Sequence, residues 1–499
     1  MADCPKFKID SNDTGLRFAM EECLKQLPVA PVWWPLEPNS YGDFGATTTT
    51  VARAPINASR QRQKGVVTDK DASASFVTDM TSNNHEKFMQ GFVFAAAKEQ
   101  STTAPLNGPT IQVGAVSATQ LDFGAATGFA EGDVVLCFGF TNPLNNGVKT
   151  FGAVVGTKAT VVNGSVAIEA APPATATITR VGRLAGDGVV KITVVGGVNT
   201  VILPANHGLV PGDWFFLGGA DADSNFANNR GFARAVSVTG VNVVFDKPSW
   251  GTVTAELGTD KSIVVMLPTI IKNQPDPANI KRFSYEFERT LGRDSVGTMS
   301  QYVSGSVANE LTVTVNSADK VTMEMGFVSC DSVARSGTQG VKAGSRPPLV
   351  FGDAINTSSD VRRLAFFLVE DTASPLFAYA TEMTITVNNN ASGAKAIGTL
   401  GNFDINVGTF EVGGAVTAYF QDVRAINAVT DNSDVTMDLI TIKNNTGIVF
   451  DIPLLTLGNG MLNVEADTPI TVPLDNLAAE SNFGHTMLYA KFAALPDWA

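Results

Sequence analysis

Apolar and polar residues alternate with a period of two through much of the chain. Tyr285 and Phe287 share a face with Phe283 in RFSYEFER, Leu311, Val313 and Val315 share one in LTVTV, and Val321, Met323, Met325 and Phe327 share one in VTMEMGF. The same pattern continues in MTITV (383–387) and VTMDLITI (435–442), as expected of half-buried strands. Asn388-Asn389-Asn390 and Gly413-Gly414 suit left-handed turn positions. Helical spacing is confined to the first hundred residues. In DTGLRFAMEECLKQLP, Leu16, Ala19, Met20, Cys23, Leu24 and Leu27 follow the stripe of one buried face, with Asp13 or Thr14 as a cap and Pro28 as a stop. That pattern predicts a helical arm within residues 1–29. A second helix is expected from about Thr81 to Lys98, with Phe88, Met89, Phe92 and Ala96 on one face. Between them VAPVWWPLEPNSYGDFG is too rigid for a loose linker, and Trp33 and Trp34 are expected to anchor an extended stretch against a neighbour.

Two internal repeats organise the rest. Gly128-Phe-Ala-Glu-Gly132-Asp133 recurs as Gly208-Leu-Val-Pro-Gly212-Asp213, 80 residues later (208 − 128), each copy followed by an apolar run. An Asn pair follows (Asn145-Asn146, Asn228-Asn229), then a strand led by Phe151 or Phe232. Residues 101–273 therefore read as two small barrel-like β modules in tandem (about 101–182 and 183–273), inserted at a loop tip, dispensable for assembly, and closed by the connector NQPDPAN. The second repeat aligns DASASFVTD (71–79) with GAVTAYFQD (414–422), matching Ala72 with Ala415, Phe76 with Tyr419 and Asp79 with Asp422, at an offset of 343 (415 − 72). It divides the remainder into one β domain of residues 30–100 plus 280–340 and a second of the same kind at 350–499.

Length and composition agree with a mainly β chain of several domains: 499 residues, 46 Gly and 24 Pro spread among Asn, Asp, Thr and Val. The net charge of −13 argues against nucleic-acid binding by the surface as a whole. Local charge is uneven. Arg53, Arg60, Arg62, Lys64 and Lys70 face only Asp69 in one stretch, whereas 425–475 holds Asp431, Asp434, Asp438, Asp451, Glu465, Asp467 and Asp475 against Lys443. These are either two solvated loops of opposite sign or a self-complementary pair that registers one subunit on another. Cys4, Cys23, Cys137 and Cys330 form no CxxC pair and read as free, mostly buried thiols of a protein made in a reducing cytoplasm. No secretory leader and no apolar run of membrane-spanning length is visible.

Chemistry is hard to find. His85, His207 and His485 lack partners at metal-ligand spacing and read as surface or turn residues. No nucleophile elbow, phosphate loop or dinucleotide fingerprint occurs. GGADADSNFANN (218–229) lacks the glycine and distal glutamate of a calcium loop and reads as a polar turn. An enzyme is not expected, and no catalytic, cofactor-binding or metal residue is assigned.

VWWPLEPNSYGDFG, VARAPINASRQRQKG, ASASFVTDMT and the closing TMLYAKFAAL resemble segments of the tail tube (major tail) proteins of long-tailed bacteriophages, over about 30–100 and 280–499. The resemblance implies a β-sandwich or barrel-like tube fold with a flanking helix, here two per chain, closing with its neighbours into a ring. It implies stacked rings in the tail of the virion, assembled in the bacterial cytoplasm. A tape-measure protein would lie inside the tube and a tail terminator at its end, and DNA would cross the lumen without specific binding or a membrane anchor. Two folds per chain imply a ring of three chains with approximate sixfold symmetry; six chains with one fold each is the alternative. Modules projecting outward imply a non-contractile tail. A virion decoration or adhesion protein binding host-surface glycans is the competing function.

Overall fold

The computed structural model describes residues 8–56, 58, 61–82, 85–97, 111–125, 128–184, 191–203, 207–218, 229–256, 264–293, 297–349 and 352–495. The fold is mainly β, with antiparallel strands throughout the two large sheets and no closed barrel among the described residues. Two α-helices are present among the described residues, His85–Val93 and Arg424–Thr430.

Strand pairing repeats itself along the chain. In the first half eight strands follow one another: Thr14–Met20, Trp34–Leu36, Pro38–Val51, Val66–Asp79, Tyr285–Arg293, Thr298–Asn316, Thr322–Ser329 and Asp331–Arg335. In the second half eight more follow: Val361–Leu368, Asp371–Pro375, Ala380–Asn388, Glu411–Tyr419, Val435–Lys443, Thr446–Asn459, Thr471–Ala478 and Leu488–Phe492. In both halves the first strand pairs with the second and the fifth, and the fifth with the sixth. The sixth also takes the eighth along its first part and the seventh along its last, the seventh takes the fourth, and the fourth takes the third. One helix follows the fourth strand in each half. In the first half the sixth strand changes partners near Gly305, whose φ of +63° is a conformation that side chains with a Cβ resist.

The halves share one core. Phe18, Phe76, Phe88, Tyr285, Phe287 and Phe327 form an aromatic cluster in the first half, continuous with Ile385, Met437, Phe450 and Tyr489 in the second. They are also joined by hydrogen bonds. Glu310–Asn316, already paired through Glu310–Thr314 with Thr322–Gly326 on one edge, pairs on its other edge with Glu382–Asn388. Leu311 faces Val387 and Val313 faces Ile385 along this seam, all fully buried.

Residues 111–266 form a separate sheet of short strands between the first helix and the fifth strand. Its two turns at the repeated motif are built alike. The Asp133 carboxylate accepts from the Ala130 amide at 2.9 Å and that of Asp213 from the Val210 amide at 3.0 Å, with both aspartates fully buried. Gly132 and Gly212 have φ of +85° and +86°, the left-handed conformation such a turn requires. Further on, Asn145 Nδ2 donates to Glu169 Oε2 at 2.8 Å, and Asn229 Nδ2 donates to Glu256 Oε1 at 2.6 Å. Each asparagine Oδ1 takes an amide two residues before that glutamate, from Ala167 and Thr254. The structural match is thus Asn145 with Asn229, which shifts the strand alignment from a Phe151–Phe232 match to Phe151–Ala235: Gly132 N–H donates to Phe151 O and Gly212 N–H to Ala235 O.

Several expectations are corrected. The N-terminal segment is not a helix: Thr14–Met20 is a strand held between Trp34–Leu36 and Tyr285–Arg293, burying Leu16, Phe18 and Ala19. Two waiting strand edges outweigh its modest helical preference. The next helix is shorter than 81–98 and ends at Val93, before Ala96. Gly413 and Gly414 lie inside a strand, where a Cβ on Gly414 would come 2.0 Å from Thr384 O. Asn390 does take a left-handed turn conformation, with φ of +48°. Trp33 is fully buried within the chain, its indole N–H donating to Ala343 O at 3.0 Å. The histidines are not at the surface: His85, His207 and His485 are all buried.

Candidate assembly surfaces

The described residues hold no group of three or more His, Cys, Asp or Glu poised for a metal ion. A groove of 650 Å³ beside Val361–Leu368 is lined by Arg362, Arg363, Thr372 and Tyr379, with Glu382 as its one carboxylate. It therefore lacks the carboxylate pair that glycan hydrolysis needs. His85 Nδ1 lies 2.9 Å from Thr81 O, and burial pushes its imidazolium down to about 4. His485 is likewise pushed to about 4, by burial and by the Lys272 charge, and lies against the Gly212 turn. His207 serves its own loop, taking the Leu209 amide at 3.1 Å and lying 3.0 Å from Gly240 O. Burial raises the Cys137 thiol to about 12 and the Cys330 thiol to about 11, while Cys23 is exposed. Cys4, and most of 218–229, lie outside the described residues.

The charged groups do more. Asp438 and Asp451, read as part of an acidic face, are fully buried. Lys247 Nζ lies 2.8 Å from Asp451 and 3.6 Å from Asp438. Arg234 reaches Asp451 at 3.3 Å and Asp246 at 2.6 Å, and Arg363 binds Asp438 at 2.7 Å. Three cations thus meet three carboxylates. Burial opposes ionisation of Asp451, but the Lys247 and Arg234 charges outweigh it and hold the carboxyl down to about 2. The cluster ties the 111–266 sheet to the second half, and apolar contacts extend it. Trp214, Phe216, Phe232 and Met266 share a core with Ile440, Val449, Leu488 and Phe492. Thr269–Lys272 then adds a strand to the edge of Leu488–Phe492.

What remains of the acidic stretch is exposed: Asp431, Asp434, Glu465, Asp467 and Asp475, while Lys443 is bound to Asp360 at 2.8 Å. The basic stretch is similarly reduced. Lys70 is committed to Asp331 at 2.5 Å and Asp69 to Lys395, leaving Arg53, Arg62 and Lys64 exposed around the tip of the hairpin Pro38–Val51/Val66–Asp79; Arg60 lies outside the described residues. From Ala46 to Val51 this hairpin is exposed on both faces, and Ile56 beyond it is wholly exposed. The equivalent hairpin of the second half, Ala380–Asn388/Glu411–Tyr419, is clasped onto the first half instead. Its arm is held by Lys395–Asp71 at 2.7 Å, Arg282–Asp404 at 2.9 Å and Asn402 Nδ2 donating to Ser329 O at 3.0 Å. Ile405 is buried there among Phe94, Val307 and Cys330. Neither clasp nor seam was anticipated from the sequence; the matched strands 71–79 and 414–422 were the available signal.

No helix among the described residues is long and apolar enough to cross a membrane. No curated protein matches the chain at a meaningful level. A family profile described as "Phage tail tube protein" matches residues 11–478, which includes the first half, the sheet that follows its helix and all but the last strand of the second half. A mainly β chain with two equivalent hairpin-bearing halves, one clasped and one free, belongs to the phage tail tube protein family, a family of structural components of the virion tail rather than of enzymes.

Proposed function

We propose that this chain polymerises into stacked rings whose lumen carries DNA toward the host, and that each chain supplies two tube folds, so that three chains close one ring. The observation that carries this reading is the repeated strand order, eight strands and a helix in the same sequence of pairings, with one half already joined to the other by a shared sheet. On this reading the chain divides into a first tube domain, interrupted after its helix by the paired modules of 111–266, and a second tube domain from about Val361 onward. The modules sit on the second domain, so a ring carries three such lobes. Lobes on the outer wall leave no room for a contractile sheath, which makes the tail non-contractile. A tape-measure protein inside the tube and a terminator at its end are the partners such a tube requires. Its acidic balance repels phosphate and favours passage over binding.

Electron microscopy of the purified full chain tests this reading. Hollow rings or tubes with approximate sixfold walls and three lobes per ring are expected. A chain that stays monomeric at every concentration, or rings carrying six lobes, would contradict it.

A further inference from the structure

The seam inside the chain supplies a template for the contact between chains. Its first-half side is Glu310–Asn316 and its second-half side is Glu382–Asn388. The strand repeat places each of these in the other half. Phe76 faces Met325, which faces Leu311; the matching Tyr419 faces Thr471, which bridges Asn463. Asn463 therefore holds the place of Leu311. On the other side Val387 faces Val412, and Thr49 faces Asp69, the residue that matches Val412 at the same offset of 343 (412 − 69). Thr49 therefore holds the place of Val387. The pair Leu311–Val387 inside the chain has Asn463 and Thr49 as its counterpart, and Val313–Ile385 has Glu465 and Thr47.

Within one chain Thr47 and Thr49 pair on one edge with Asp71 and Asp69, and no described strand pairing joins them to Asn463 and Glu465. Every residue from Ala46 to Val51 and from Met461 to Ile470 is exposed, whereas Leu311, Val313, Ile385 and Val387, whose places Asn463, Glu465, Thr47 and Thr49 hold, are buried at the seam. Exposed apolar side chains gather at both places: Val51, Ile56, Val66 and Val67 on the hairpin, Met461, Val464 and Leu477 on the second half. A free edge flanked by apolar surface is a liability unless another strand covers it. The charges are complementary too. Arg53, Arg62 and Lys64 ring the hairpin, and Glu465, Asp467 and Asp475 surround the receiving edge.

We propose that the occupant of this edge is a second copy of the chain: the hairpin Pro38–Asp79 of one chain lays Thr47–Thr49 antiparallel against Asn463–Glu465 of the next and clasps its second half, as the second hairpin clasps the first half within each chain. The contact is heterologous, so it does not stop at a dimer, and with a rotation of about 120° per chain it closes a ring of three. It rests on the tube reading and adds the surface by which the ring closes. The oppositely charged stretches then act sideways, between neighbours in one ring, rather than between stacked rings.

The test uses the full chain with Thr49→Cys and Asn463→Cys together, and separately Thr48→Cys with Val464→Cys, the next pair of the same register on the opposite face. Each single variant controls for the native thiols, including the exposed Cys23. After oxidation of assembled material, non-reducing gels should show covalent multimers from at least one double variant and none from the singles, with trimer as the largest closed species. Amide exchange on wild-type tubes provides a second reading that needs no substitution: 46–51 and 461–465 should exchange at least about tenfold more slowly than in the monomer. Tubes that form with neither cross-link and no added protection at those amides overturn the seam and leave the tube function standing. A wild-type chain that never assembles overturns both.

Discussion

Asp451 shows how much a single buried charge can carry. Lys247 and Arg234 are enclosed with it, so Asp451→Ala leaves two cations without their shared carboxylate. Such a loss costs about 3–5 kcal/mol, whereas Asp475→Ala, at an exposed site, should change stability by less than about 0.5 kcal/mol. Denaturant midpoints of the two variants check the contrast. Acid sensitivity follows from the histidines. His85 and His485 have folded values near 4, below the ordinary value of about 6.5, so the unfolded chain binds protons first as pH falls. Stability is expected to be full above about pH 6.5 and to drop between there and pH 4, by at most about 3 kcal/mol per histidine. Asp451 adds a second loss lower down, between its ordinary value of about 3.9 and its folded value near 2. Replacing His485 with Gln should flatten the upper part of the profile; an unchanged slope between pH 6.5 and 4 would show that His485 is not held neutral in the fold. None of this burial was legible locally. His485 in NFGHT reads as a turn residue because the Gly212 turn that covers it lies far away in sequence.

Among the elements, period-two strands of the second part of the chain were readable because their alternation is strict and a single face enters the core. The strand Thr14–Met20 was not, since its Leu16, Ala19 and Met20 also fit a helical stripe and only the long-range partners Trp34–Leu36 and Tyr285–Arg293 decide between the two. The strand at Val435–Lys443 gave a further surprise: Val435 through Ile442 are all buried, because the 111–266 sheet covers the face that would otherwise meet solvent. Glycine in the middle of Glu411–Tyr419 likewise marks close approach rather than a turn. Gly414 has φ of +151°, and a Cβ there would meet Thr384 O at 2.0 Å. Gly414→Ala should therefore cost about 1–3 kcal/mol through backbone strain at a site that is not a turn. Thermal unfolding beside Gly398→Ala, at an open surface glycine with φ of +90° and nothing near its Cβ, separates contact from conformation alone. A loss at Gly414 no greater than at Gly398 would argue against the close approach.

At the scale of the molecule the sheet of 111–266 is packed onto the second half. Its repeat and composition were visible in the sequence, but its attachment was not, because the anchoring residues Ile440, Val449, Asp451 and Phe492 lie hundreds of residues beyond it. Excising 101–273 behind a short linker would bare that apolar surface, strip Thr269–Lys272 from the edge of Leu488–Phe492 and leave Asp438 and Asp451 without Lys247. The expected outcome is aggregation, read by size-exclusion chromatography, rather than narrower tubes. Duplication was the reverse case: a nine-residue match hinted at it, and the strand pairings display it across the whole of both halves. One hairpin is satisfied within the chain, and on the proposed seam the other is satisfied by a neighbour, so the subunit would be complete only in an assembly. The most direct test of that claim is an electron-microscopic cross-section of tubes grown from the full chain. Three lobes around a wall of six similar β folds, joined alternately by the seam within a chain and the seam between chains, is the predicted result; six lobes, or a wall in which the Pro38–Asp79 hairpin projects without a partner, would contradict it.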